Sequence, residues 1–242
     1  MLLYMQKLGI VIPCYNEELR LDHAEVGELI TRLPEVCLCF VDDGSTDGTR
    51  EVLNKLAARF GRNVKVLLLK KNGGKANAVR EGILSLLQLE EIDFVGYLDA
   101  DFSTPSYEYI RLYEELLERK RPFAFAARIK KLDSKIDRKP WRHIVGRVIS
   151  TILGFRFGLR IYDTQCGAKI FNRKTAEIGF HNKFTCSWLF DVEIFLRLKA
   201  ADMLYDGIEA PIRQWKDVKG SKLRITDFPK VIRELIMLSI KY

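Results

Sequence analysis

The amino-acid sequence predicts an α/β domain built on an open, mostly parallel sheet, and three observations carry that expectation. In the first half of the 242 residues, short β-rich apolar runs alternate with amphipathic stretches, the pattern of successive βα units. Two of those runs end in acidic motifs, Val41-Asp42-Asp43-Gly44-Ser45-Thr46-Asp47-Gly48-Thr49 and Val95-Gly96-Tyr97-Leu98-Asp99-Ala100-Asp101. A hydrophobic content of 48% at this length suffices for one full core.

The elements follow in order. A first strand is expected over 8–13 and a helix over 22–32. The strand at 36–42 carries Cys37 and Cys39 at alternate positions, on one face. Ser45 or Thr46 can cap a helix over 46–60, which leads to a strand at 63–69. A helix over 75–89 opens on Asn72-Gly73-Gly74-Lys75, and the strand at 93–98 follows. Pro105 and Ser106 open a helix over 106–120 before a strand at 123–127. From about Lys130 the pattern changes: Arg138-Lys139-Pro140-Trp141-Arg142 begins a basic, apolar-rich segment that ends near Ile161. Within it Arg142, Arg147 and Arg156 alternate with Trp141, Ile144, Val145, Val148, Ile149, Ile152 and Leu153, the make-up of an interfacial amphipathic helix or of an ordinary surface helix with snorkelling arginines. The last stretch sets Phe228, Val231, Ile232, Leu235, Ile236 and Leu238 at helical spacing among Lys230, Arg233 and Lys241, so it packs on the core or lies on a membrane. No repeat or low-complexity linker marks a boundary, and 1–242 is expected to be one domain.

Composition narrows the function. A net charge of +8 favours anionic partners. The five cysteines are odd in number and hold no C-x-x-C pair, which suits buried thiols in a reducing compartment. Three scattered histidines argue against a zinc site or a histidine-centred triad. No apolar run approaches the roughly 18–20 residues needed to span a bilayer, and Met1 to Leu8 is too short for a secretory signal. Any meeting with a membrane is therefore expected from the side. No nucleic-acid motif accompanies the basic charge.

Ligands of open α/β sheets bind beyond the carboxyl ends of the strands, and that edge gathers Tyr15, Asn16, Glu17, Asp42, Asp43, Asp99 and Asp101. Asp42 and Asp43 can accept hydrogen bonds from a base and a ribose, or serve only the turn. Asp99-Ala100-Asp101 offers the hard oxygens that Mg²⁺ or Mn²⁺ prefers, the rest of the shell coming from phosphates and water. Lys75 follows two glycines at a helix start, where backbone N–H groups attract phosphate. This loop is neither a Walker motif nor G-x-G-x-x-G.

These motifs, together with Val11-Ile12-Pro13-Cys14-Tyr15-Asn16-Glu17-Glu18, resemble glycosyltransferase family 2 and its GT-A, Rossmann-like fold. Asp163-Thr164-Gln165-Cys166-Gly167-Ala168-Lys169-Ile170-Phe171, Trp188-Leu189-Phe190-Asp191-Val192-Glu193 and Gly220-Ser221-Lys222-Leu223 are similar to the polyprenyl-phosphate branch, most of all to its dolichyl-phosphate β-glucosyltransferase members. The resemblance implies a nucleotide-sugar-binding half over 1–128 and an acceptor-side half over 129–242. It implies that Pro13, Tyr15, Glu17, Asp42 and Asp43 surround the nucleoside, and that Lys75, Asp99, Ala100 and Asp101 bind the rest of the donor. The implied metal is Mg²⁺ or Mn²⁺ on Asp99 and Asp101, with Ser103 where a sister group of mannose synthases carries a metal-assisting Gln. The acceptor phosphate falls to Arg128, Arg142, Ser221 and Lys222.

The implied reaction is inverting transfer of a hexose, glucose from UDP-glucose, to a polyprenyl or dolichyl monophosphate on the cytoplasmic face of a membrane. Transfer from GDP-mannose and transfer to a saccharide hydroxyl are the alternatives. Asp101, Asp191, Glu193 and Lys222 are the catalytic candidates. A phosphate monoester, with a second pKa of about 6, is already a nucleophile. A hydroxyl acceptor would need a base, and Asp191 or Glu193 is the candidate, unless these carboxylates hold a loop through Lys169 or Arg213.

Overall fold

The computed structural model describes residues 6–137, 140–216 and 228–242. Seven strands form one sheet in the order β3-β2-β1-β4-β7-β5-β8, and two short strands, β6 and β9, pair apart from it. The first half follows the expected alternation: β1 (Leu8–Cys14), α1 (His23–Arg32), β2 (Cys37–Asp42), α2 (Thr49–Phe60), β3 (Val64–Leu68), α3 (Lys75–Leu87), β4 (Phe94–Leu98), α4 (Ser106–Glu118) and β5 (Phe123–Ala127). β1 pairs in parallel with both β2 and β4. The acidic ends of β2 and β4 thereby flank β1 on one edge.

One element departs from its expected start. α2 begins at Thr49, and neither Ser45 nor Thr46 caps it. Both are engaged elsewhere, because Asn16 N–H donates to Ser45 Oγ at 3.0 Å and Thr46 N–H donates to Asn16 Oδ1 at 2.9 Å. These bonds lock the loop after β1 to the loop after β2.

The second half holds β6 (Lys135–Asp137), α5 (Pro140–Phe157), β7 (Ala168–Asn172), α6 (Arg173–Phe180), α7 (Phe190–Ala200), β8 (Ile208–Pro211), β9 (Gln214–Lys216) and α8 (Phe228–Lys241). β7 enters between β4 and β5, antiparallel to both. This central strand escapes the pattern search because Lys169 interrupts its apolar run, yet the lysine is fully buried.

Strand alternation divides the core in two. Ile10, Ile12, Leu38, Phe40 and Leu98 pack with α1 and α4 on one side. Val11, Cys39, Val41, Val95 and Tyr97 face α3, α5, α6, α7 and α8 on the other. Cys37 packs against the same layer as Cys39, and all five cysteines are free thiols. α8 packs on this layer through Val231 and Leu238. Among the described residues no helix is long and apolar enough to cross a membrane.

Candidate active site

A cleft of ≈ 210 Å³ opens at the carboxyl edge, lined by Pro13, Glu17, Asp43, Lys75, Asp99, Ala100 and Asp101 among others. Seven of the expected donor residues therefore converge. Tyr15 and Asp42 are not among the lining residues. Asp42 is fully buried, with Oδ1 accepting from Ser45 N–H at 2.9 Å and Oδ2 only 3.7 Å from the Arg50 guanidinium. In this conformation the first acidic residue of the motif closes its turn and the second faces the cleft.

Asp43 organises the glycine loop. Its two oxygens accept from Gly73 N–H and Gly74 N–H, each at 2.8 Å, and that fixes the chain from which Lys75 opens α3. Gly74 sits at φ +85°, a backbone region that costs glycine little. Lys75 Nζ then reaches Asp99 Oδ1 at 2.5 Å. Burial pushes the Lys75 ammonium down, but Asp99, Asp191 and Asp101 outweigh it and hold the pKa above its ordinary value.

Asp101 is shaped by the backbone after it. Ser103 donates to Asp101 Oδ1 from its N–H at 3.0 Å and from Oγ at 2.8 Å. Phe102 adopts φ +46° to make this return, a strained conformation for a bulky residue of the kind that clusters at functional sites. Arg20 Nη2 lies 3.2 Å from Asp101 Oδ2, and Arg20 Nη1 lies 3.4 Å from Glu17 Oε2. Burial first and the Asp99 charge second raise the Asp101 pKa, against the pull of Ser103 and Arg20. The two carboxylates thus share one field, a site whose repulsion a hard cation would relieve. Among the described residues no three His, Cys, Asp or Glu side chains form a metal cage. The donor set suits Mg²⁺ or Mn²⁺, which takes one or two carboxylates and completes its shell with phosphates and water.

The loop before β7 presses on this pair. Asp99 N–H donates to the Gly167 carbonyl at 3.2 Å, and a Cβ on Gly167 would lie 1.9 Å from Asp99 Oδ2. A side chain there would have to displace the Asp99 carboxylate or the loop. Arg128 holds the loop's other end: Nε and Nη2 donate to the Asp163 carboxylate at 2.6 and 2.8 Å, and the guanidinium lies 5.2 Å from the Trp215 ring centroid. Arg128, expected as a phosphate ligand, is therefore committed to tethering the Asp163 loop.

The two carboxylates at the start of α7 separate. Asp191 Oδ1 accepts from Lys169 Nζ at 2.6 Å and from the Tyr97 hydroxyl. Lys169 also donates to the Cys166 carbonyl at 2.6 Å. Burial and the neighbouring Asp191 raise the Tyr97 pKa well above its ordinary value, which keeps its proton available to donate. Glu193 lies outside the cleft lining and is fully buried, accepting from Thr185 N–H at 2.7 Å, Lys241 Nζ at 2.8 Å and Arg197 Nη2 at 3.1 Å. These partners make it a fastening between α7 and α8, not a proton acceptor at the cleft. Ser221 and Lys222 lie outside the described residues, and of Arg142 only its place in α5 is described.

Arg20, Tyr97, Phe102 and Gly167 complete the site without having been assigned a role in it, and Lys169 holds Asp191 as the loop-holding alternative expected. Arg20 had a signal, its i, i+3 spacing from Glu17. Tyr97 and Gly167 depend on β7 pairing with β4, which brings residue 169 opposite residue 97.

Comparison with known proteins agrees with this architecture. The family described as Glycosyl transferase family 2 matches residues 9–179. A dolichyl-phosphate beta-glucosyltransferase of Saccharomyces cerevisiae is 30% identical over 258 residues, covering 97% of this chain and 75% of that protein. One from Trichomonas vaginalis is 29% identical over 243 residues (96% and 73%), and the human protein is 28% identical over 261 residues (98% and 76%). Among solved structures, glucosyl-3-phosphoglycerate synthase from Mycobacterium tuberculosis in complex with Mn²⁺ and UDP-glucose superposes with a TM-score of 0.60 at 17% identity, covering 96% of this chain and 77% of that one. At that identity the likeness speaks for the GT-A fold.

Proposed function

We propose, for a chain that belongs to glycosyl transferase family 2 and is a glycosyltransferase, that the reaction is inverting transfer of glucose from UDP-glucose to a polyprenyl or dolichyl monophosphate at a membrane surface. The names of the relatives support the donor and acceptor. The observation that carries the acceptor class is the clamp on Asp191. Its Oδ1 already accepts from Lys169 and Tyr97 in a buried setting, and the residue is not among those lining the cleft. A hydroxyl acceptor needs a base, whereas a phosphate dianion does not.

In the proposed reaction a lipid phosphate oxygen bonds to the anomeric carbon on the face opposite the departing oxygen. The carbon–oxygen bond to the β-phosphate breaks with its electron pair staying on UDP. Charge builds on the leaving diphosphate, and stabilising it is the main demand on the site. Lys75, released from Asp99 as the donor enters, neutralises part of that charge. Asp43 and the Gly73-Gly74 backbone hold Lys75 in position, and Gly167 lets Asp99 approach. A bound Mg²⁺ or Mn²⁺, held by Asp99 and Asp101 with the Ser103 hydroxyl beside them, would supply further charge neutralisation at the diphosphate. Arg142, Ser221 and Lys222 are the proposed partners of the acceptor phosphate, while Arg128 and Asp191 position the loops around it.

Donor choice is testable by thermal shift, because a ligand that binds only the folded state stabilises it. With Mn²⁺ present, UDP-glucose and UDP should raise the melting temperature and GDP-mannose should not. A larger shift with GDP-mannose would overturn the donor assignment.

A further inference from the structure

We propose that Arg20 is a positioning residue that holds Asp101 as an internal counter-ion and releases it to the divalent cation only as the donor's diphosphate arrives. This role rests on the reading of the cleft as a metal and nucleotide-sugar site, and it adds what couples the two ligands. Arg20 belongs to the turn after β1, where its N–H donates to the Glu17 carbonyl at 3.0 Å and the Glu17 N–H donates to Thr49 Oγ1 at 2.8 Å. Parallel pairing of β1 with β4 sets that turn beside Asp101, 81 residues away.

The oxygens that would hold the metal already have partners. Ser103 donates twice to Asp101 Oδ1, Arg20 Nη2 donates to Asp101 Oδ2 at 3.2 Å, and Lys75 Nζ sits 2.5 Å from Asp99 Oδ1. The two cations that line the cleft are thus each placed on one carboxylate of the pair. Mg²⁺ approaches a ligand oxygen to about 2.0–2.1 Å, which on Asp101 Oδ2 sets it against the guanidinium, a like charge. One of the two cations must give way.

Charge makes the exchange conditional. The cleft lining carries four carboxylates, Glu17, Asp43, Asp99 and Asp101, against the two cations Arg20 and Lys75. A diphosphate without a metal meets that excess of negative charge, and a metal without a diphosphate meets cations already seated on its ligands. Arriving together, the metal takes the carboxylates and the diphosphate takes the cations. Arg20 gives up Asp101 at little cost, because Glu17 Oε2, 3.4 Å from Nη1 and on the same turn, remains beside the guanidinium. The buried Nε of Arg20 has no acceptor among the described residues, an unmade bond that disfavours its present seat. An arginine that merely oriented Asp101 would act the other way: losing such a partner of a metal ligand weakens metal binding by about 10- to 100-fold.

The test titrates the full chain with Mn²⁺, reading the free ion by electron paramagnetic resonance, with and without UDP. In the wild-type chain UDP should tighten Mn²⁺ binding, and Mn²⁺ should tighten UDP binding by the same factor. Arg20→Met should bind Mn²⁺ alone about 10-fold more tightly than wild type, and the factor gained from UDP should shrink by about 10-fold. Arg20→Lys keeps the charge and should stay near the wild-type values. Arg50→Met removes a cation 3.7 Å from Asp42 on the same edge and should leave Mn²⁺ binding unchanged. Arg20→Gln carries the same expectation as Arg20→Met and replaces it if the methionine variant does not fold. Unchanged or weaker Mn²⁺ binding in the Arg20 variants, or equal tightening in Arg50→Met, would overturn the role of Arg20 and leave the metal site in place. No Mn²⁺ binding by the wild-type chain, even with UDP, would overturn the metal reading of the cleft and the role of Arg20 with it.

Discussion

Lys75 Nζ and Asp99 Oδ1 lie 2.5 Å apart in the cleft, an ion pair between the glycine loop and the second acidic strand end. In the proposed reaction the donor's diphosphate would compete for the lysine and a divalent cation for the carboxylate, so binding would exchange one internal pair for two external ones. Lys75→Met removes the cation and keeps most of the bulk. Loss of one preorganised charge partner of a leaving group costs about 10²- to 10³-fold in kcat, and steady-state kinetics with a retained circular dichroism spectrum should show a fall of that size.

Gly167 is the second lever on Asp99. An alanine Cβ would sit 1.9 Å from Asp99 Oδ2 and must displace the carboxylate or the loop. Misplacement by about 1 Å costs about 100-fold in rate, so Gly167→Ala should lose about that factor while the protein stays folded. Full activity in this variant would mean that Asp99 does not need its present position.

Asp191 separates the two acceptor classes through pH. With a phosphate acceptor, the acid limb of kcat/KM reflects the acceptor's own second ionisation at about 6. Asp191→Asn should lower the rate by disturbing Lys169 and Tyr97 and leave that limb in place. A limb that vanished in Asp191→Asn would make the carboxylate a general base and the acceptor a hydroxyl.

The fastening of α8 to α7 is pH-sensitive in a definite direction. Burial raises the Glu193 pKa, but Lys241, the Thr185 N–H and Arg197 pull it net below its ordinary 4.5. Its contribution to stability is full above pH 4.5 and is lost as pH falls through the lowered value. Burial lowers Lys241 while Glu193 raises it net above 10.5, so its contribution is full below pH 10.5 and is lost as pH rises through the raised value. Glu193→Gln should therefore narrow the stability difference from wild type at low pH, measured by denaturant unfolding across the acid range.

Glu234, buried in α8, holds the loop before α7, accepting from Leu189 N–H at 2.8 Å and Trp188 N–H at 3.0 Å. Leaving buried donors without their acceptor costs about 1–3 kcal/mol, and each kcal/mol shifts the melting temperature of a chain this size by about 2–4 °C. Glu234→Ala should melt about 2–12 °C below wild type in calorimetry.

The first five strands and four helices are legible because each βα unit is local: apolar runs and amphipathic stretches mark them without knowledge of the rest. Convergence of Pro13, Glu17, Asp43, Lys75, Asp99 and Asp101 follows from parallel pairing of those strands. What the pattern could not reveal depends on β7. The sequence offered Lys169 as a partner that a carboxylate of α7 could hold, and its bond to Asp191 bears that out, but its burial in a central strand opposite Tyr97 comes only with the antiparallel pairing of β7. The same long-range step explains Arg128, whose Asp163 partner is 35 residues away, and Glu193, whose Lys241 partner is 48 residues away. α8 was read as packing on the core or lying on a membrane. Its inner face packs through Val231 and Leu238, and its outer face remains apolar.

The most direct test of a lipid phosphate acceptor is transfer from UDP-[¹⁴C]glucose, with Mn²⁺, to a polyprenyl phosphate presented in vesicles. A labelled glucosyl phosphate lipid, formed with stoichiometric release of UDP and β-configured at the anomeric carbon, is the expected product. No labelled lipid with any nucleotide sugar, or label appearing on a saccharide hydroxyl instead, would contradict it.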